Sequence, residues 1–252
     1  MASADVVAAE DTRIALKLFA ALNIKGPKVV SHHDHNEEAS TEKLLGRLAE
    51  GATVALVSDA GTPLVSDPGY RLVVAALAAG VAVVPLPGPN AAVTALIASG
   101  LPPDRFRFLG FLPRQSGKRR SALQGLRHDP DTLLVYEAPR RVLETLQDIE
   151  EVLDDRVVCL AISLTKQWER FYRGPASEVS AALREEGEIK GEMCLVIHGF
   201  VGDATDRAKA MQVVEGLAGA GVRAGVIRDV VAEVFELPRR EVYQAALKFR
   251  DS

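Results

Sequence analysis

Apolar runs of strand length alternate with helix-spaced segments through most of the chain, and two of these runs end in loops of glycine, alanine and proline. Residues 53–57 (TVALV) read as a buried strand, 68–79 as a helix and 81–86 (VAVVPL) as the next strand. Residues 90–99 read as a helix, closed by Gly100 and the pair Pro102-Pro103. Continuous apolar strands separated by helices predict α/β layering around a largely parallel sheet. A second block repeats the theme: strand 132–136, helix 140–153, strand 156–162, helix 176–186 and strand 193–198. Between the blocks, residues 113–128 hold Arg114, Lys118, Arg119, Arg120 and Arg127, with no acid before Asp129. The expected domains are therefore 1–112, 113–202 and a tail, 203–252.

The tail changes character. Ala210, Val213, Val214 and Leu217 follow helical i, i+3, i+4, i+7 spacing, as do Ile227, Val230, Val231 and Val234, and Val242, Ala245, Ala246 and Phe249. Breaks at 219–221 and at Leu237-Pro238 make this a three-helix unit whose last two helices fit a helix-turn-helix. Packing or dimerisation and RNA docking are equally good roles for it.

Charge excludes some functions. Lys and Arg number 30 against 34 Asp and Glu, a formal net charge of −4, so any nucleic-acid contact must be a local patch. The two cysteines, Cys159 and Cys194, lie in apolar runs without ligand spacing and read as buried thiols. The longest apolar run, 72–86, falls short of the ~20 residues a membrane-spanning helix needs. With no export signal in the first residues, the expected location is the cytoplasm.

Ligands of open α/β sheets bind beyond the carboxyl ends of the strands. Two loops occupy that position: Ser58-Asp59-Ala60-Gly61-Thr62-Pro63 after Val57, and Pro87-Gly88-Pro89-Asn90-Ala91 after Leu86. Glycine and alanine admit a ligand close to the backbone, and proline fixes the path. No G-x-G-x-x-G, P-loop or G-x-S-x-G is present, which removes the support for dehydrogenase, P-loop kinase and α/β-hydrolase chemistry. Glu10-Asp11-Thr12-Arg13 fits a helix cap with a local ion pair. His32-His33-Asp34-His35-Asn36-Glu37 fits a polar, substrate-facing loop better than a metal site. Glu137-Ala138-Pro139-Arg140-Arg141 follows a strand, where an arginine can clamp a phosphate.

Taken in order, AEDTR (9–13), HNE (35–37), SDAGTPLVSDPG (58–69), PGPNA (87–91), GFLPR (110–114), YEAPRR (136–141), LTK (164–166) and KGEM (190–193) carry a resemblance. Over about residues 6–200 the chain resembles the bacterial small-subunit (16S) ribosomal RNA ribose 2′-O-methyltransferases of the tetrapyrrole-methylase superfamily. Its tail is similar to that family's helix-turn-helix extension. The resemblance implies two α/β domains of the tetrapyrrole-methylase type, S-adenosyl-L-methionine held in the cleft between them, and a homodimer. It also implies methyl transfer to the 2′-hydroxyl of a cytidine in small-subunit ribosomal RNA, within the 30S particle, with no metal. Carried over by motif, cofactor contacts fall on Asp59, Ala60, Gly61, Thr62, Val65, Asn90, Ala91, Glu137, Leu164 and Met193. A ribose hydroxyl is a poor nucleophile, so the reaction needs a base, or positive charge on the forming alkoxide. The polar groups that fit those roles are Glu10, Asp11, Arg13, Glu137, Arg140 and Lys166. Arg114, Lys118, Arg119 and Arg120 are the expected phosphate contacts.

Two departures stand out. Family members open with a further strand and a Thr-Pro-Ile-Gly-Asn-type loop, so one strand of the first sheet is expected to be missing here, leaving an unpaired edge. Ser163 stands before LTK where family members carry glutamate. The competing functions are methylation of a small molecule by the same fold and non-catalytic RNA binding.

Overall fold

The computed structural model describes residues 1–201 and 204–250 and divides into two compact units, Met1–Thr94 and Ala95–Ser252. In the first, β1 (Val6–Ala9), α1 (Thr12–Ala21), β2 (Lys28–Ser31), α2 (Glu37–Ala49), β3 (Val54–Val57) and α3 (Tyr70–Ala78) follow in order, and α4 (Ala91–Ser99) crosses the boundary. The sheet has the order β2-β1-β3, parallel throughout. The strand β1 is central because Val-Val-Ala-Ala is apolar on both faces, and each of its residues is at most 2% exposed. Leu44 of α2 and Leu72 of α3 pack against Val6 and Ala8, with Val30, Val54 and Leu56 around them.

The 81–86 run does not form the expected strand. Val81 N–H donates to Ala76 O, closing α3, and among the described residues the run joins no ladder. Val83, Val84 and Leu86 are 42%, 75% and 80% exposed. Extended backbone becomes a strand only where a neighbour accepts its N–H and C=O groups. The outermost strand on this side, β3, offers a free edge but forms no ladder with 81–86.

The second unit contains β4 (Phe106–Phe111), α5 (Ser116–Gln124), β5 (Thr132–Glu137), α6 (Val142–Val152), β6 (Val157–Ile162), β7 (Arg170–Pro175), α7 (Ala176–Glu186) and β8 (Met193–Ile197). Three helices follow: α8 (Ala204–Gly219), α9 (Ala224–Val234) and α10 (Arg239–Arg250). The sheet order is β4-β5-β8-β6-β7. Only β4 and β5 are parallel; β5–β8, β8–β6 and β6–β7 are antiparallel. The expectation of a largely parallel sheet thus holds for the first unit and is corrected here. The reason is topological: β6 and β7 form a hairpin, and β8 inserts between β5 and β6 running against both. The boundary also lies earlier than 112/113, because β4 hydrogen-bonds to β5. The basic segment folds as α5 and packs on α6, so it is not a linker.

The core of this unit is built from Leu133 and Val135 of β5, Leu146 and Ile149 of α6, Leu160 and Ile162 of β6, Leu183 of α7 and Leu195 and Ile197 of β8, all essentially inaccessible. Cys159 and Cys194 are free and buried, and burial pushes the Cys194 thiol up to about 12, so neither is a thiolate at neutral pH. In the tail, Ala210, Val214, Ile227, Val231, Val242 and Ala246 form the shared core as the spacing predicts. Val213, Val230 and Val234, assigned to the same faces, are exposed instead: a three-helix unit this small buries a narrower stripe than the periodic pattern offers.

One charge is deeply buried. Arg119 of α5 is 1% exposed on its side chain and donates from Nε to Asp148 Oδ2 of α6 at 2.6 Å; Asp148 is 5% exposed. Arg120, at the surface, bonds the same carboxylate at 3.3 Å and Glu151 as well. Removing one partner of such a pair strands the other without water. Arg119→Ala is expected to cost about 3–5 kcal/mol of unfolding free energy, read from urea denaturation. Lys118→Ala, on the exposed side of the same helix, is expected to stay within about 0.5 kcal/mol. Equal effects from the two would contradict this packing.

Candidate functional site

In the first unit the parallel register sets the carboxyl ends of β1, β2 and β3 level: Ala9 pairs with Ser31 and with Val57. The three loops that leave these ends are AEDTR, the His-rich run and SDAGTP, so motifs far apart in sequence emerge along one edge.

They are tied together by carboxylates. Asp11 N–H donates to Asp59 Oδ1 at 2.9 Å, and Asp59 N–H in turn donates to Glu10 Oε2 at 3.4 Å. Asp11 also caps α1, accepting the Arg13 N–H at 2.8 Å, and pairs with the Arg13 guanidinium at 2.5 Å. That guanidinium holds the Asp11 carboxyl down at about 2. Glu37, from the HNE motif, accepts Gly69 N–H at 3.1 Å and Arg71 N–H at 3.2 Å, fixing the end of SDPG at the start of α3. Gly69 has φ +127°, a conformation that side-chain-bearing residues rarely adopt, and a Cβ there would also press on the Leu56 side chain, so glycine is favoured at this motif position.

The SDAGTP and PGPNA loops meet. Thr62 Oγ1–H donates to Pro89 O at 2.7 Å, and the carbonyl of Pro89 lies 3.9 Å from where a Gly61 side chain would begin. Asn90 Oδ1 accepts Val93 N–H at 3.1 Å and caps α4, so Asn90 and Ala91 stand at a helix N-terminus. Val65 N–H donates to Thr62 O at 3.2 Å. Leu64 and Ser66 hold φ of 72° and 67°, a left-handed conformation uncommon for side-chain-bearing residues and characteristic of loops fixed for a task. Asp59, Ala60, Gly61 and Ala91 are exposed. Small, exposed residues on a fixed backbone beside a helix N-terminus are what a polar, flat ligand requires.

Two residues of this edge escaped the sequence reading or were misplaced by it. Burial pushes the Asp67 carboxyl up to about 6, reinforced by Glu10, Asp59 and Asp34 and opposed by the Ser58 hydroxyl. Only the fold reveals it, because four acids from three loops meet there. His32 does not face a substrate: it is fully buried. The Ser40 hydroxyl donates to Ser31 O and so accepts from His32 Nδ1 at 3.0 Å, leaving Nε2 without a partner. Burial pushes this imidazole's pKa down, so it is neutral.

In the second unit the YEAPRR and LTK–KGEM groups separate into different jobs. The Glu137 side chain is fully buried and spent on its neighbours: Ala138 N–H at 2.8 Å, the Thr145 hydroxyl at 2.6 Å and Arg141 at 3.3 Å. It positions the β5–α6 turn, and the catalytic role expected of its carboxyl is corrected. Arg141 bonds Leu112 O at 2.8 Å, while Arg140 is exposed with no carboxylate partner among the described residues. Lys166 Nζ pairs with Glu192 Oε1 at 2.7 Å, and Ser163 N–H donates to Glu192 O at 2.8 Å. Gly191, φ +105°, lies so close to Ser163 that any Cβ would strike its hydroxyl. The KGEM turn and the LTK loop are thus locked together, placing Leu164, half-buried, on the loop and Met193, buried, just past the turn. Ser163 supplies backbone here where an acid was looked for.

Of the four expected phosphate contacts, Arg114 and Lys118 are exposed and have no acid partner among the described residues. Arg119 faces the interior and is withdrawn from that role. Arg120 is half-buried and engaged by Asp148 and Glu151.

Comparison with known proteins adds a family. Residues 1–180 match the Tetrapyrrole (Corrin/Porphyrin) Methylases. A protein of Micromonospora olivasterospora named ribosomal RNA small subunit methyltransferase I is 51% identical over 241 residues, covering 95% of this chain and 77% of the relative. The protein of that name from Halalkalibacterium halodurans is 45% identical, covering 95% and 84%, and that from Escherichia coli O157:H7 is 44% identical, covering 97% and 86%. Among solved structures, the methyltransferase CobJ superposes with a TM-score of 0.58 at 17% identity, over 79% of this chain and 84% of CobJ. Diphthine synthase superposes with a TM-score of 0.57 at 15% identity, over 79% and 80%. These two likenesses establish the fold.

The Asp67 carboxyl sets a pH dependence. Its pKa is raised from 3.8 to about 6 on folding, so the folded state binds the extra proton in between. Stability is then greatest below 3.8 for this group and falls as pH rises through about 6. Urea midpoints across that window are expected to decline for the wild type and to decline less for Asp67→Asn; parallel slopes would refute the burial of this group.

Proposed function

The chain belongs to the tetrapyrrole methylase family, and from that membership we propose that it transfers a methyl group from S-adenosyl-L-methionine to the 2′-hydroxyl of a cytidine in small-subunit ribosomal RNA. The observation that carries the reading is the interlocked edge of the first unit, where Asp11, Asp59 and Glu10 hold one another and Thr62 ties SDAGTP to PGPNA. In the first unit the residues proposed to hold the cofactor are Asp59, Ala60, Gly61, Thr62, Val65, Asn90 and Ala91; in the second unit, taken by itself, the residues proposed as cofactor contacts are Glu137, Leu164 and Met193. The fit is physical: the exposed turn at Gly61 has no side chain to exclude a ligand, and α4 presents its N-terminus to polar groups. The sulfonium donor supplies a methyl already electrophilic, so positioning of the hydroxyl is the main demand on the protein.

The chain must also receive the hydroxyl proton or offset the charge left on oxygen. Asp11 is a poor acceptor, being held near 2 by Arg13, and Glu137 is buried and engaged by Ala138 N–H, Thr145 and Arg141. Glu10 and Asp67 remain, with Asp67 tuned nearer to neutrality. Arg140, exposed and with no carboxylate partner among the described residues, and Lys166, fixed by Glu192, are the cations suited to phosphate or alkoxide. The proposed partner is the 30S particle, met by a homodimer through Arg114 and Lys118 among others.

The direct test is methylation of small subunits from cells lacking this gene, using labelled donor. Label is expected at one cytidine, on the ribose, where it protects the adjacent phosphodiester from alkali. Label on a base, or none in RNA, would overturn the reading. Glu10→Gln is expected to lower kcat by roughly 10²–10⁴ if it accepts the proton, with donor affinity by calorimetry retained. Replacing Arg114 and Lys118 together by alanine should reduce the slope of log affinity against log salt by roughly 0.7–0.9 for each phosphate no longer neutralised; an unaltered slope removes them from the RNA interface.

A further inference from the structure

The chain has one tryptophan, Trp168, and the fold leaves it 72% exposed. It lies in the loop 163–169 between β6 and β7. That loop is firmly built. Lys166 N–H donates to Ser163 O at 3.0 Å, Glu169 N–H to Lys166 O at 3.1 Å and Thr165 N–H to Glu169 Oε2 at 2.7 Å. Ser163 N–H and Lys166 Nζ both anchor to Glu192, and Ser163 and Thr165 sit at φ of 52° and 61°. A β-branched residue in that region is held there by its surroundings. The indole is therefore presented on a fixed backbone, while tryptophan elsewhere gains most from burying its ring.

Its neighbours along the loop, Thr165, Lys166, Gln167 and Glu169, are all polar and exposed, so the loop itself offers no apolar patch around the ring. An exposed flat ring on a fixed, polar loop matches a nucleobase, whose face stacks on an aromatic side chain. We propose that Trp168 is a stacking platform for a base of the RNA substrate. It receives the base next to the methylated nucleotide, since its loop also carries Leu164 and Lys166. This rests on the ribosomal RNA reading above and adds to it a residue that positions the substrate.

Because Trp168 is the chain's only indole, the difference between wild-type and Trp168→Phe emission, taken with the same 30S particles, reports on this loop alone. With the full-length chain and undermethylated 30S particles, RNA binding is expected to quench the emission, whereas S-adenosyl-L-methionine alone is not. Trp168→Ala is expected to raise KM for the particle by roughly five- to one-hundredfold, with a smaller change in kcat, and Trp168→Phe to restore most of the loss. If wild-type protein methylates the particle while Trp168→Ala has an unchanged KM, or the emission is unmoved, the stacking role is wrong and the enzyme reading stands. Quenching by the cofactor alone, or dissociation of an oligomer by Trp168→Ala in sedimentation, would likewise overturn it. Failure of the wild type to methylate the particle at all removes both.

Discussion

The arrangement of the first unit depends on the parallel register of β1 with β2 and β3. With Ala9, Ser31 and Val57 level, the carboxyl ends of three strands become one edge, and three loops are compelled to share it. Shared space creates both the hydrogen bonds and the electrostatic load. Asp59 and Asp11 exchange a backbone donor for a carboxylate across 48 residues of sequence, and Glu37 reaches 32 residues to the end of SDPG. The same crowding brings Asp67 near Glu10, Asp59 and Asp34, which raises its pKa. A one-residue slip of β1 would misalign the three loops together.

Much of this was legible in the residues. The loops after β3 and after residue 86 announce themselves by glycine and proline beyond apolar runs, and the structure joins them through Thr62 and Pro89. Most helices also fall where their spacing places them. Strands β1, β2 and β7 are harder to see. The first two are four residues long, too short for periodicity to distinguish from a helix end, and β7 (RFYRGP) reads as polar. The 81–86 run illustrates the opposite failure: its composition is that of a strand, but strand formation is decided by a partner's backbone, which composition does not encode.

Charge was misread for a related reason. Arg114, Lys118, Arg119 and Arg120 form one basic cluster in sequence, yet a helix turns each residue by about 100°. Arg119 therefore faces α6 and Asp148 while Lys118 faces solvent. Similarly, Glu137 follows a strand as a catalytic acid would, but the turn that follows directs Ala138 N–H, Thr145 and Arg141 at its oxygens. Acids equal in sequence thus acquire different chemistry: one is consumed in positioning, one is held ionised by Arg13, and one is raised toward neutrality.

That division follows from how each carboxylate is solvated. Asp11, at the surface, is stabilised by a guanidinium and by α1 N–H groups, and its proton is lost readily. Asp67 has burial and three like charges against it, with the Ser58 hydroxyl in its favour, so it keeps its proton far longer. A site that must accept a proton from a ribose hydroxyl near neutral pH is better served by the second kind of environment, because a base held near 2 has little affinity for the proton it takes. The strain at Leu64 and Ser66 lies on either side of Val65 within the loop that carries both Asp59 and Asp67. The backbone there is fixed at some energetic cost, as in loops whose conformation their surroundings determine.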